Sequence, residues 1–269
     1  MTSTLHSSAG LAYDRAGPRG DLPVVLIHAG IADRRMWQPQ WSALTAQRDA
    51  VRLDLRGFGE STERPRNALS PADDVIDALA ALGIGRCHLV GASFGAGVAV
   101  EVALTRPEHV DSLMLSAPGG SLIADATPDL QAFFDAEQAA LARDDLDGAV
   151  EANLAWWVDG PHRVVGDVDP KVRELVGHMQ RRAFELTANW GDVEEEELDP
   201  PALERLAEIR VPTLVLVGAL DLDAIVDTAR RVTDGIRDAR RLDWPDTAHL
   251  PSMERPDDFF ALLRNWLAS

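Results

Sequence analysis

Cysteine is nearly missing from this 269-residue chain: Cys87 stands alone, which excludes an internal disulfide framework. It lies in an apolar run that reads as buried, so a reducing, cytoplasmic setting is expected. Basic residues are outnumbered, 26 Lys and Arg against 44 Asp and Glu, for a formal net charge of -18. A surface of that sign repels phosphate, so neither nucleic acid nor an anionic membrane is expected as a partner. No apolar run approaches membrane-spanning length. The opening stretch MTSTLHSSAG has neither a basic region nor an apolar one, so no signal peptide is expected. Internal repeats and low-complexity tracts are lacking as well. What is present is an ordinary globular composition, 46% hydrophobic, enough for a large core in one domain with or without an insertion.

Short apolar runs bounded by turn residues recur at 23–28 (PVVLIH), 50–54 (AVRLD), 87–91 (CHLVG), 110–116 (VDSLMLS) and 212–218 (PTLVLVG). Such runs suit strands covered on both faces. Segments of helical character separate them, near 36–46, 71–82, 94–105, 224–235 and 256–268. Alternating strand and helix predicts an α/β fold, a doubly wound and mostly parallel sheet built from right-handed crossovers. Between 121 and 200 the alternation stops. That interval holds only helical patterns, DLQAFFDAEQAALA, LDGAVEANLAWWV and PKVRELVGHMQRRAFEL. The expected organisation is a core of 1–120 and 201–269 with a helical insertion, 121–200, over one sheet edge. Its acidic tail, GDVEEEELDPP, reads as a solvated hinge or loop.

One strand runs straight into a crowded turn: CHLVG, then ASFGAGVAVEVAL, with G-x-S-x-G at Gly91, Ser93 and Gly95. That pattern arises by chance in about one chain of this length in ten, so its placement matters more than its occurrence. Between a buried strand and a helix of small residues, it reads as a nucleophile elbow. A phosphate-cradling loop is the weaker reading, because its glycines belong after the first strand of the unit and its lysine is absent.

A serine hydroxyl needs a base and an orienting carboxylate, here in the chain order serine, acid, histidine. Asp221 follows the strand PTLVLVG in ALDLD, at a strand end where such sheets keep ligand-binding groups. Asp223 stays open as a competitor, and Asp221 alone could equally cap the next helix. Among seven histidines, His249 lies between the last expected strand, ARRLDW, and the closing helix, where the base belongs. His28 comes too early and suits loop shaping. Two amides should face the developing oxyanion: that of Phe94, and one from the loop after the first core strand, Gly30 or, as second choice, Ile31. This chemistry calls for no metal and no organic cofactor.

With these residues in view, the chain resembles the α/β-hydrolase superfamily over nearly its whole length. Beside GASFG, the stretch LDLRGFGES at 53–61 resembles the family's glycine-rich turn, LVGALD its acid strand, TAHLPSMERPDDF its histidine loop and HAGIADRRMW its oxyanion loop. His-Ala-Gly stands where the family more often has His-Gly. LDLRGFGES reads as mainly structural. The serine sets the chain apart from the aspartate-dependent branches, and IADRRMWQPQW with the elbow is most similar to enol-lactone hydrolases and small-ester esterases.

The resemblance implies hydrolysis of a small ester or lactone through an acyl-enzyme. A carbon-carbon bond hydrolase or lyase on the same groups, and a small-lactone receptor with little turnover, are the alternatives. The insertion would act as a cap. Trp156, Trp157, Trp190, Phe133 and Phe134 are expected mainly in its core, with Trp156, Trp157, Ile31 and Leu250 as candidates to line the substrate pocket. Trp37 is expected in the core. Nothing in the pattern sets an oligomeric state.

Overall fold

The computed structural model describes residues 5–7, 10–65, 68–191 and 193–268. Its elements run β1 (Leu5–His6), β2 (Ala12–Ala16), β3 (Val24–Ile27), α1 (Gln38–Thr45), β4 (Ala50–Leu53), α2 (Pro71–Ala81), β5 (Cys87–Ala92), α3 (Phe94–Thr105) and β6 (Val110–Ser116). Then follow α4 (Pro128–Leu141), α5 (Leu146–Asn153), α6 (Pro170–Thr187), β7 (Thr213–Gly218), α7 (Asp223–Gly235), β8 (Ala239–Trp244), α8 (Pro251–Glu254) and α9 (Pro256–Trp266). The strands that the apolar runs predict form where expected, because Val, Ile and Leu in short runs fill a sheet sandwiched between helices. Every residue of β3, β4 and β7 is buried.

The eight strands lie in the order β1-β2-β4-β3-β5-β6-β7-β8. All neighbours from β4 to β8 are parallel, while β1 and β2 add an antiparallel edge. No apolar run in the sequence marks that edge. β2 is AYDRA, half-exposed and without an apolar run, and it takes its place by pairing Tyr13 opposite Leu53 of β4.

From β3 the chain winds outward to β4, then crosses back to lay β5 on the other side of β3, with Ile27 beside Gly91. Helices leave β3 and β5 in opposite directions there, which opens a crevice at the strands' carboxyl ends. The loops after β3 and β5 border it.

The stretch between β6 and β7 holds α4, α5 and α6. α5 continues into a wider turn at Leu154–Asp159 that stops at Gly160, whose φ is 83°. α4 packs on α5 and α7, and α5 packs on α6. Among the described residues no helix is long and apolar enough to cross a membrane. Cys87 and Trp37 are fully buried, and burial pushes the Cys87 thiol up to about 12.

Candidate active site

Ser93 makes the whole change of direction between β5 and α3, at φ 52° and ψ -117°. A non-glycine residue held there carries roughly 1–3 kcal/mol of strain, so its surroundings must hold it in place. Its amide donates to the Ser116 carbonyl of β6 at 2.9 Å, and its carbonyl accepts from the amides of Ala96 (2.8 Å) and Gly119 (3.2 Å). The flanking glycines supply space. A methyl group on Gly91 would overlap the Gly95 carbonyl, and one on Gly95 would overlap the carbonyls of Ile27 and His28.

Two other strand ends bring side chains to this serine. His249, in the loop after β8, has Nε2 2.7 Å from Ser93 Oγ and Nδ1 2.8 Å from Asp221 Oδ2, beyond the end of β7. A carboxylate oxygen only accepts, so Nδ1 carries the hydrogen and donates to Asp221. Nε2 is then left to accept from the Ser93 hydroxyl. His249 and Asp221 are each 1% exposed. The acid and histidine loops are pressed together, since a methyl on Gly218 would overlap the carbonyls of Thr247 and Ala248. Asp221 Oδ1 accepts from the next amide, Leu222, at 2.8 Å. Asp223 opens α7 with its side chain exposed, its amide donating to Asp129.

The loop after β3 meets the serine turn from the other side. His28 is buried, with Nδ1 donating to the Ala29 carbonyl (2.8 Å) and Nε2 accepting from the Leu55 amide (2.9 Å). Burial holds its imidazole below the usual range, so it stays neutral and ties this loop to the one after β4. The Ala29 amide is taken up by Met36 Sδ at 3.3 Å. By contrast the amides of Gly30, Ile31 and Phe94 donate to no atom among the described residues. A methyl on Gly30 would stand 3.3 Å from Phe94 Cβ, which brings the Gly30 and Phe94 backbones close together. The LDLRGFGES turn locks this arrangement: buried Asp54 accepts from the amides of Arg34 and Glu60, both at 2.8 Å, and pairs with the Arg34 guanidinium.

The helical stretch reaches the same groups. The Trp157 ring lies 4.5 Å from the His249 ring, and a methyl on Gly160 would stand 2.8 Å from the Leu220 carbonyl. Arg163 and Glu254 form a part-buried ion pair at 2.5 Å. Glu254 in turn accepts from the amide of Ala248, the residue before His249, at 3.0 Å.

Beside Gly30 and Phe94 opens a cavity of about 310 Å³, walled by Leu55 and Phe58 from the core and by Thr187 and Trp190 from the helical stretch. Glu195 stands at its edge, where Leu69 pairs with the acidic tail through Leu69 N–H to Glu194 O and Glu196 N–H to Leu69 O, both 2.8 Å. Among the described residues no cluster of His, Cys, Asp and Glu could hold a metal ion.

A family model for the alpha/beta hydrolase fold matches residues 23–256. The chain belongs to that family. A relative from Variovorax paradoxus (strain S110), named "Putative carbamate hydrolase RutD", is 31% identical over 96% of each chain. The 3-oxoadipate enol-lactonase 1 of Acinetobacter baylyi is 24% identical over 94% of this chain and 91% of its own. Among solved structures, a thermophilic esterase from Thermogutta terrifontis superposes with a TM-score of 0.74 at 25% identity, over 99% of this chain and 97% of that one.

Within this α/β-hydrolase fold, Ser93, His249 and Asp221 come together, and Gly30 and Phe94 meet beside them. The pocket candidates fare differently. Ile31 and Leu250 are buried, Trp156 is half-buried, and neither they nor Trp157 wall the 310 Å³ cavity. Phe133 is core, packed on Trp157, but Phe134 is 38% exposed and Trp190 faces the cavity. Phe58, inside the glycine-rich turn, also lines the cavity and is not among the expected site residues. Its signal was an aromatic where such a turn needs only small residues. The acidic stretch 194–197 is an exposed loop, one of the two readings of its sequence, and not a free hinge, since its backbone is hydrogen-bonded to Leu69.

Proposed function

We propose that this α/β-fold hydrolase cleaves small carboxylic esters or lactones through an acyl-enzyme on Ser93. His249 Nε2 takes the hydroxyl proton as Ser93 Oγ attacks the carbonyl carbon, forming a tetrahedral oxyanion. The amides of Phe94 and Gly30 stabilise that oxygen, each contributing about 3 kcal/mol of barrier lowering. Collapse breaks the ester bond, and His249 returns the proton to the leaving alcohol or enol. Water then attacks the acyl-enzyme by the same route. Asp221 holds the imidazole in the tautomer that accepts from serine and stabilises the imidazolium.

What carries the reading is the unbroken relay of 2.7 and 2.8 Å between three residues 28 and 156 positions apart. The unengaged amides beside it support the oxyanion assignment. In this reading 121–200 is a cap that excludes water and shapes the pocket, supported by the approach of Trp157, Gly160 and Arg163 to the acid and histidine loops. The name of the Variovorax relative makes carbamates a third class to test, since attack on a carbamate carbonyl follows the same tetrahedral course.

The test is a panel of p-nitrophenyl esters, γ- and δ-lactones and aryl carbamates, run on the wild type and on Ser93→Ala. Turnover of at least one class, lost in the variant, is expected. Undiminished turnover in Ser93→Ala overturns the assignment. Steady cleavage of vinylogous diketones with none of the esters would move it to carbon-carbon bond chemistry.

A further inference from the structure

The cavity beside Gly30 and Phe94 differs sharply from the clefts around it. Its body is apolar, made by Leu55, Phe58, Leu69, Pro71 and Trp190. Arg56 also borders it, but its guanidinium is engaged by both oxygens of Asp74, at 2.6 and 2.8 Å. Its charge is therefore already met. Among the described residues, no cation pairs with the carboxylate at the edge, Glu195. It also borders a second cleft that shares Phe94 and holds Glu197 and Glu204. Glu101 lies beneath, bound to Ser121 at 2.5 Å.

We infer that this cavity receives the acyl group of the substrate, that the group is uncharged and apolar, and that Glu195 turns away acyl chains ending in a carboxylate. The inference rests on the reading of Ser93 as nucleophile and of Gly30 and Phe94 as oxyanion donors. Given that reading, the acyl carbonyl oxygen sits at the two residues that begin the cavity wall. The acyl chain, unlike the leaving alcohol, stays there through both half-reactions.

The walls set size as well as polarity. At about 30 Å³ per water-sized group, 310 Å³ accommodates a short to medium chain. Trp190 walls it and packs on the glycine-rich turn, since a methyl on Gly57 would already stand 3.0 Å from the indole. An apolar chain gains by leaving water for such walls. A carboxylate on the same chain loses its hydration there and meets like charge. Glu195 is held in position by the main-chain pairing of its neighbours with Leu69. Glu195 keeps an exposed face, yet partial desolvation and the nearby carboxylates of Glu101 and Glu197 raise its pKa to about 6, as expected of a spot already unfavourable to negative charge.

The experiment compares kcat/KM at pH 8 for p-nitrophenyl acetate, butyrate, pentanoate and octanoate with mono-p-nitrophenyl glutarate, the carboxylate-bearing counterpart of the pentanoate. Pentanoate should exceed glutarate by at least tenfold, and Glu195→Gln should shrink that ratio at least threefold, with Glu195→Lys shrinking it further. Trp190→Ala, with Trp190→Leu as a second variant, should move the preferred acyl length upward. A fluorophosphonate probe run alongside separates the two readings. Labelled, active enzyme that takes glutarate as readily as pentanoate, or an acyl-length profile unmoved by both Trp190 variants, overturns this inference alone. No labelling and no turnover would instead remove the serine mechanism beneath it.

Discussion

The three turns that carry Ser93, Asp221 and His249 are fixed by main-chain closeness, whereas the helical stretch meets them mostly through side chains, with one close main-chain approach at Gly160. Around the turns there is no room for a methyl group at Gly91, Gly95 or Gly218. From 154 to 197 the contacts include an indole on an imidazole, a part-buried ion pair, Gly160 against the Leu220 carbonyl and a strand-like pairing at Leu69. A sheet edge of this kind gives a reactive group a position accurate to fractions of an ångström. Side-chain contacts are easier to rearrange, so this second region is where selectivity can vary without disturbing the chemistry. Changes in the first region should abolish activity or folding; changes in the second should weaken or redirect.

The largest expected effect lies at the serine. Ser93→Ala should lower kcat by about 10⁴- to 10⁶-fold while leaving the melting temperature close to wild type, as read by ester hydrolysis and circular dichroism. Next comes a paired glycine test. Gly95→Ala forces a methyl into the carbonyls of Ile27 and His28 and should cost about 3 kcal/mol or more in urea unfolding. Gly191→Ala faces open space and should change stability by less than about 0.5 kcal/mol. Equal costs at the two sites would erase the contrast between the regions.

Arg163→Gln leaves the part-buried Glu254 without its cation, so unfolding should lose about 1–3 kcal/mol. It should also lower kcat more than it raises KM, because Glu254 holds the Ala248 amide next to His249. Restored stability in the Arg163→Gln, Glu254→Gln double variant is expected; a further additive loss would show that the two side chains do not act as a pair. The smallest effect concerns pH. Glu195 titrates near 6 in the fold against an ordinary 4.5, so between those values the folded chain keeps a proton that the unfolded chain releases. Its contribution to stability therefore falls as pH rises from 4.5 to about 6 and stays flat above. Glu195→Gln should melt higher than wild type at pH 7.5 and level with it at pH 4; a difference of equal size at both values would contradict the titration.

Much of the first region was legible because local chemistry and chain order coincide there. PVVLIH, CHLVG and PTLVLVG announce buried strands by their apolar runs, and each candidate group lies just past a strand end. The rest depended on distant pairings that leave no periodic mark. β2 forms because β4 offers a partner. Leu69 meets the acidic tail more than a hundred residues on, and Arg163 finds Glu254 91 positions away. The choice between Asp221 and Asp223 could not be made from ALDLD, since two residues of turn decide which carboxylate points inward. Trp190 gave no sign of its cavity because one indole in a polar stretch reads the same whether it faces a core or a ligand.

The central claim is that Ser93 is the nucleophile activated by His249, and covalent trapping tests it most directly. Incubation with a fluorophosphonate followed by peptide mass mapping should place one adduct on Ser93, and none should form in His249→Ala. An adduct on a different residue, or full ester turnover by protein that cannot be labelled at Ser93, would contradict the account.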